Sequence, residues 1–126
     1  RKVVCVIGDG GMAMNLQELQ TIVNYNIDVK IIILNNHIYG ITKAFQEVNF
    51  EGRSEACGPK GYAPPDFIKL AKAFGIQSKI IDSGDDYNVI RDQIKELLST
   101  NMLIEPLEIS KNPPMPSIFN TTESME

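Results

Sequence analysis

Residues 3–10 read Val3-Val4-Cys5-Val6-Ile7-Gly8-Asp9-Gly10, and residues 29–36 read Val29-Lys30-Ile31-Ile32-Ile33-Leu34-Asn35-Asn36. Each is an apolar, largely β-branched run that stops on small or polar turn residues, the pattern of a strand buried on both faces. The two dozen residues 11–34 between the turn strings leave room for one helix and the second strand. Asn15 followed by Glu18 reads as a capping box, and Leu16, Leu19, Ile22 and Val23 give that helix an apolar face ending near Tyr25-Asn26. A right-handed strand–helix–strand crossover then returns Gly8-Asp9-Gly10 and Asn35-Asn36 to the same edge of a sheet.

The alternation continues beyond this unit. A short helical stretch is expected from Gly40 to Glu47, followed by an irregular loop from Val48 to Pro64 of a length that is often functional. Pro65-Asp66 starts a helix with Phe67, Leu70, Ala71 and Phe74 on one face, stopped by Gly75 in the left-handed region. Ile76–Ile81 reads as a third strand, Asp85 to about Ser99 as a helix, and Met102–Ile109 as a fourth strand. The expected fold class is α/β, an open, mostly parallel sheet with helices on both faces, within one domain over residues 1–110. Residues 111–126, with Pro113-Pro114 and Pro116 among polar residues, read as a partly disordered tail. Sheets of this kind bind ligands beyond the carboxyl ends of their strands, where both turn strings lie.

With 126 residues, 43% of them hydrophobic, the chain can bury one core. Twelve Lys and Arg against sixteen Asp and Glu give a net charge of −4 without a basic cluster, which argues against nucleic-acid and anionic-membrane partners. Cys5 reads as core and Cys57 as a free loop thiol, in no metal-binding or redox spacing. Without a signal sequence or an apolar run of transmembrane length, the cytoplasm is expected. The chain opens at Arg1 directly onto a strand and reads as truncated on its N-terminal side. Asn120-Thr121-Thr122 is a chance glycosylation match in a polar tail.

Gly8, Gly10 and Gly11 let the backbone approach a bulky anion, and the helix that follows offers N–H groups to phosphate oxygens. Asp9 would repel a diphosphate unless a cation stood between them. Mg²⁺ does this with one or two protein oxygens plus substrate phosphates. Either string alone is weak evidence, since asparagine and glycine commonly close strands; at the ends of adjacent parallel strands the pair is far more specific.

Gly8-Asp9-Gly10, the intervening two dozen residues and Asn35-Asn36 resemble the signature of thiamine diphosphate enzymes. Asn35-Asn36-His37-Ile38-Tyr39-Gly40-Ile41 is similar to its continuation in the acetolactate synthase branch, as are Gln46-Glu47, Phe50-Glu51-Gly52-Arg53, Pro65 to Ala71 and Phe74-Gly75-Ile76. The resemblance extends over about Lys2 to Ile109. It implies a diphosphate-binding domain, one module of a larger subunit, in which Asp9, Asn36 and the main-chain carbonyl of Ile38 hold Mg²⁺. Gly8, Gly10, Gly11, Tyr39, Gly40 and Ile41 would join them around the thiamine diphosphate. The implied chemistry is decarboxylation of a 2-keto acid such as pyruvate and transfer of its two-carbon unit to a second 2-keto acid. The glutamate that activates the cofactor would come from the pyrimidine-binding domain of a partner subunit, within a homodimer or homotetramer of the full-length protein. No catalytic residue is assigned to this chain, which alone is expected to be inactive.

Other readings stand beside these. His37 reads as a backbone contributor rather than an acid–base group, and Glu18 as a capping residue rather than the activating carboxylate. Tyr39 either lines the cofactor site or packs at the start of its helix. Glu47, Glu51, Arg53 and Glu55 form a solvated loop or a segment that orders over bound cofactor. The stretch from Ala56 to Pro64 departs from the usual acetolactate synthase length, which bears on substrate identity. Another thiamine diphosphate-dependent decarboxylase or lyase is the alternative enzyme, and a non-catalytic module binding a phosphate ligand is the alternative class.

Overall fold

A computed structural model describes residues 3–82 and 84–99, and the backbone of 104–108; the expected tail at 111–126 lies outside the described residues. The strands are β1 (Val3–Gly8), β2 (Val29–Asn35), β3 (Ile81–Asp82) and β4 (Ile104–Glu108). All pair in parallel, in the order β1-β2-β4-β3. The helices are α1 (Asp9–Ala13), α2 (Glu18–Asn24), α3 (Gly40–Asn49), α4 (Phe67–Ala73) and α5 (Tyr87–Ser99). Val3 is in register with Val29 and Gly8 with Leu34. The residues that follow, Asp9 and Asn35-Asn36, therefore leave the sheet side by side.

Alternation along the strands divides the sheet into two faces. Ile31 and Ile33 of β2 point to the face where Met12, Leu19, Phe67, Ala71 and Ile76 bury a common core, joined by Cys5, Ile7, Leu16 and Ile22. That face is covered by α1, α2 and α4. Ile81 is in register with Leu107 and through it with Leu34, so it belongs to the opposite face. It is buried there, and α5, whose Leu97 is also buried, contacts β3. Right-handed crossovers require this division, because the step from β3 back to β4 runs against the steps from β1 to β2 and from β2 to β3.

The division corrects the reading of β1 as a strand buried on both faces. Val4 and Val6 are 43% and 60% exposed, since β1 is the sheet edge and α5 covers the far side. The capping box at Asn15 is also absent. The chain is already helical from Asp9, and residues 14–17 continue it as a turn, with Glu18 N–H bonded to the Asn15 carbonyl at 3.1 Å. With turns bonded on both sides of it, Asn15 does not stand at a free helix start for its side chain to cap. Gln17 occupies that place in a helical conformation without a side-chain cap.

Helix ends follow local rules more closely. Asn26 has φ +49°, and its N–H and that of Ile27 reach back to the carbonyls of Val23 and Ile22, a Schellman motif. Gly75, with φ +74°, ends α4 the same way through Gly75 to Lys72 and Ile76 to Ala71. Asp66 caps the start of α4 by accepting from the Lys69 N–H at 3.0 Å. The third strand is shorter than the expected Ile76–Ile81. Pro106, which has no N–H to donate, stands opposite Ile80 in the register, and pairing begins at the next residue.

Candidate functional site

The site begins where β1 ends. Gly8 is extended, with φ −73° and ψ 158°, and Asp9 is the first residue of α1. Asp9 is only 2% exposed, and its Oδ2 has no hydrogen-bond partner. A buried carboxylate oxygen without a partner is costly in an apolar interior. The first turn of α1 offers N–H groups near it, but five residues of helix make only a small dipole.

Beside it, β2 ends in two successive asparagine turns. The Oδ1 of Asn35, which is buried, accepts from the His37 N–H at 3.3 Å. The Oδ1 of Asn36 accepts from the Ile38 N–H at 3.2 Å. His37 takes φ +59° to complete the bend, a conformation that short side-chain hydrogen bonds help hold. The chain thereby turns back so that Tyr39 lies over α1. The Tyr39 ring fills the space that a Cβ on Gly10 would need, while a Cβ on Gly8 would meet nothing within 4 Å. Neither glycine has positive φ. Gly10 is thus required by the ring above it rather than by a left-handed turn.

The Ala56–Tyr62 segment completes the arrangement. Gln46 of α3 holds this loop through its Oε1, which accepts from the Glu55 N–H at 2.8 Å and the Cys57 thiol at 3.4 Å. The Cys57 carbonyl accepts the Tyr39 N–H at 2.9 Å, and Cys57 is the free loop thiol expected, with its side chain buried. Tyr62 N–H bonds back to the Gly58 carbonyl at 2.7 Å, and Gly61 lies too close to Ala56 to admit a side chain. This tight turn brings the Tyr62 ring against Tyr39, with centroids 4.0 Å apart at 40°. The phenol lies beside the Asp9 carboxylate. Burial first, then that carboxylate and Tyr39, push its pKa above the ordinary tyrosine range. The hydroxyl is nevertheless buried outside hydrogen-bond geometry, so it and Asp9 Oδ2 remain without partners.

All nine residues singled out in the sequence line one open cavity of about 410 Å³: Gly8, Asp9, Gly10, Gly11, Asn36, Ile38, Tyr39, Gly40 and Ile41. Leu34 and Thr42 line it as well. Tyr39 both lines the cavity and packs at the start of α3. Asn35 and His37 face a separate cavity of about 300 Å³ with Pro65, Asp66 and Phe67, which Asp9 does not line. Tyr62 escaped the sequence reading because a lone aromatic in an aperiodic loop carries no positional signal.

No cluster of three or more acidic, histidine or cysteine side chains that could hold a metal occurs among the described residues. Asp9 and Asn36 supply a sparse set of hard oxygens, which suits Mg²⁺ shared with phosphates and not a cation caged by protein alone. The Asp9 carboxylate, buried with its Oδ2 unpartnered, is the group such a cation would bind. Among the described residues, no helix is long and apolar enough to cross a membrane.

Residues 1–105 match the family model described as thiamine pyrophosphate enzyme, C-terminal TPP binding domain. The probable acetolactate synthase large subunit of Methanococcus aeolicus is 35% identical over 99% of this chain and 21% of its own length. The acetolactate synthase large subunit of Haemophilus influenzae is 47% identical over 58% of this chain and 12% of its own. For the acetolactate synthase isozyme 3 large subunit of Escherichia coli the values are 41%, 58% and 12%. The chain spans about a fifth or less of the length of these relatives. Thiamine diphosphate and Mg²⁺ are the cofactors of the matched family. With most of its length under that model, the chain belongs to the thiamine pyrophosphate enzymes, as their C-terminal thiamine pyrophosphate-binding domain.

Proposed function

We propose that this domain anchors the Mg²⁺-bound diphosphate of thiamine diphosphate for an acetolactate synthase-type enzyme. The observation that carries the proposal is the buried, unpartnered Asp9 Oδ2 at the end of β1, beside a cavity lined by Asn36, Ile38 and the glycines. Asp9 gives the cation a carboxylate oxygen, and Ile38 gives its main-chain carbonyl. Asn36 Oδ1 serves the same cation although it already accepts the Ile38 N–H, because an amide oxygen has two lone pairs. The asparagine turn orients that oxygen before any ligand arrives.

Backbone N–H groups of Gly10, Gly11, Gly40 and Ile41 hold the phosphate oxygens. Gly8, with open space around it, leaves room for close approach. When bound, the cofactor supplies the electron sink for decarboxylating a 2-keto acid and passing its two-carbon unit to a second 2-keto acid. This chain binds and orients; the activating glutamate comes from the pyrimidine-binding domain of a partner subunit in a homodimer or homotetramer. The relatives' names as large subunits of acetolactate synthase support an assembly of more than one subunit.

The test is calorimetric titration of the full-length protein with thiamine diphosphate, with and without Mg²⁺. Binding should require the cation and be lost in Asp9→Ala, whose circular dichroism should match the parent. Equal binding with and without Mg²⁺ would favour a metal-independent phosphate-binding module and overturn the proposal.

A further inference from the structure

We propose that Tyr62 is a positioning residue for the cation site, donating its hydroxyl proton to the Asp9 carboxylate oxygen that the cation does not take. The proposal rests on the cofactor reading above and adds to the unpartnered Asp9 Oδ2 a second buried and unpartnered group, the Tyr62 hydroxyl. Tyr62 Oη and Asp9 Oδ2 are both buried without a partner, and the Tyr62 ring stacks on Tyr39, whose ring rests on Gly10, the residue after Asp9. One is a donor and the other accepts only. Each alone is a liability, and a hydrogen bond between them would satisfy both. A cation drawing on the other carboxylate oxygen would hold the group in the orientation for that bond.

Tyr62 is delivered by a built structure. Its amide is tied to the Gly58 carbonyl, Gly61 is packed on Ala56, and the ring stacks on Tyr39. Tyr39 in turn is bonded through its N–H to Cys57 of the same loop and rests on Gly10. The loop, the stacked rings and α1 thus form one contiguous unit over the carboxylate. Groups that orient a metal-ligating carboxylate typically change metal affinity by about ten- to a hundredfold when removed. The loop from Ala56 to Tyr62 then contributes to cofactor retention without touching the cofactor.

Tyr62→Phe keeps the stacked ring and removes only the hydroxyl. In the full-length protein, the Mg²⁺ concentration for half-maximal thiamine diphosphate binding should rise by about tenfold or more, read by calorimetry. The ligand-free melting temperature should stay level or rise, because an unpartnered buried hydroxyl is removed. A purely structural tyrosine would do the reverse, lowering the melting temperature and leaving the Mg²⁺ dependence unchanged. A half-saturation within twofold of the parent overturns the proposal. If Asp9→Ala abolishes binding while Tyr62→Phe changes nothing, the role of Tyr62 alone fails. If the parent binds without Mg²⁺, the cofactor reading fails and takes this one with it.

Discussion

Gly10→Ala tests the central contact of the site, because its effect should change sign with the residue at position 39. Gly10 lies inside α1, where alanine is favoured over glycine by about 1 kcal/mol. Two ring carbons of Tyr39 occupy the place of the new methyl group, so the ring must move away. Leaving forfeits the stack on Tyr62, worth about 0.5–1.5 kcal/mol, and exposes part of a ring whose full burial is worth on the order of 1.5–3 kcal/mol. The net effect is destabilisation by about 1–2 kcal/mol, within the usual range for overpacking. In a Tyr39→Ala background the obstacle is gone, and the same substitution should stabilise by about 1 kcal/mol. The two results together define a coupling of about 2–3 kcal/mol. Urea unfolding of the four proteins, followed by far-ultraviolet circular dichroism, measures it. Gly8→Ala is the control, since that position has no atom within 4 Å of a new Cβ and an ordinary φ of −73°. A coupling below about 0.5 kcal/mol would refute the packing of Tyr39 on Gly10.

Two further expectations concern local structure. Asp66 accepts the Lys69 amide N–H and, less strongly, pairs with its ammonium, which lowers its pKa below the ordinary carboxylate range. A lowered folded-state pKa means that the cap contributes stability above the unfolded-state value and loses it as pH falls through the folded-state value. Asp66→Asn, which keeps a capping oxygen, should therefore remove this part of the acid dependence of the melting temperature; an unchanged acid limb would contradict the assignment. Glu51 ends α3 with φ +55°, a conformation that disfavours non-glycine residues by about 1 kcal/mol. Glu51→Gly should raise stability by about that amount in thermal unfolding, and a loss would show that the Glu51 side chain compensates for its backbone.

Much of the fold was legible because the signals are local. The runs 3–8 and 29–35 carry their strand character in consecutive residues. Gly75 and Asp66 announce the ends of α4 through their own backbone and side-chain chemistry. The misreadings arose where a distant partner intervened. The capping box failed because α1 had already started the helix at Asp9. The third strand starts only at Ile81, one residue past the position opposite Pro106 of a different strand. The exposure of Val4 and Val6 follows from strand order, which no property of residues 3–8 encodes.

The candidate site divides along the same line. By itself, the sequence determined which residues stand at the two strand ends, because hydrophobic runs of matched length and a right-handed crossover carry Asp9 and Asn36 to one edge. Only the tertiary structure decided what surrounds them. It buried Asp9 with one oxygen unsatisfied, laid Tyr39 on Gly10, and brought Tyr62 from an aperiodic loop to the carboxylate. Periodicity reports the face a residue presents within its own element. The approach of a loop to a strand end is set by turns, close glycine contacts and ring stacking between residues far apart in the chain, which leave no repeating trace in the sequence.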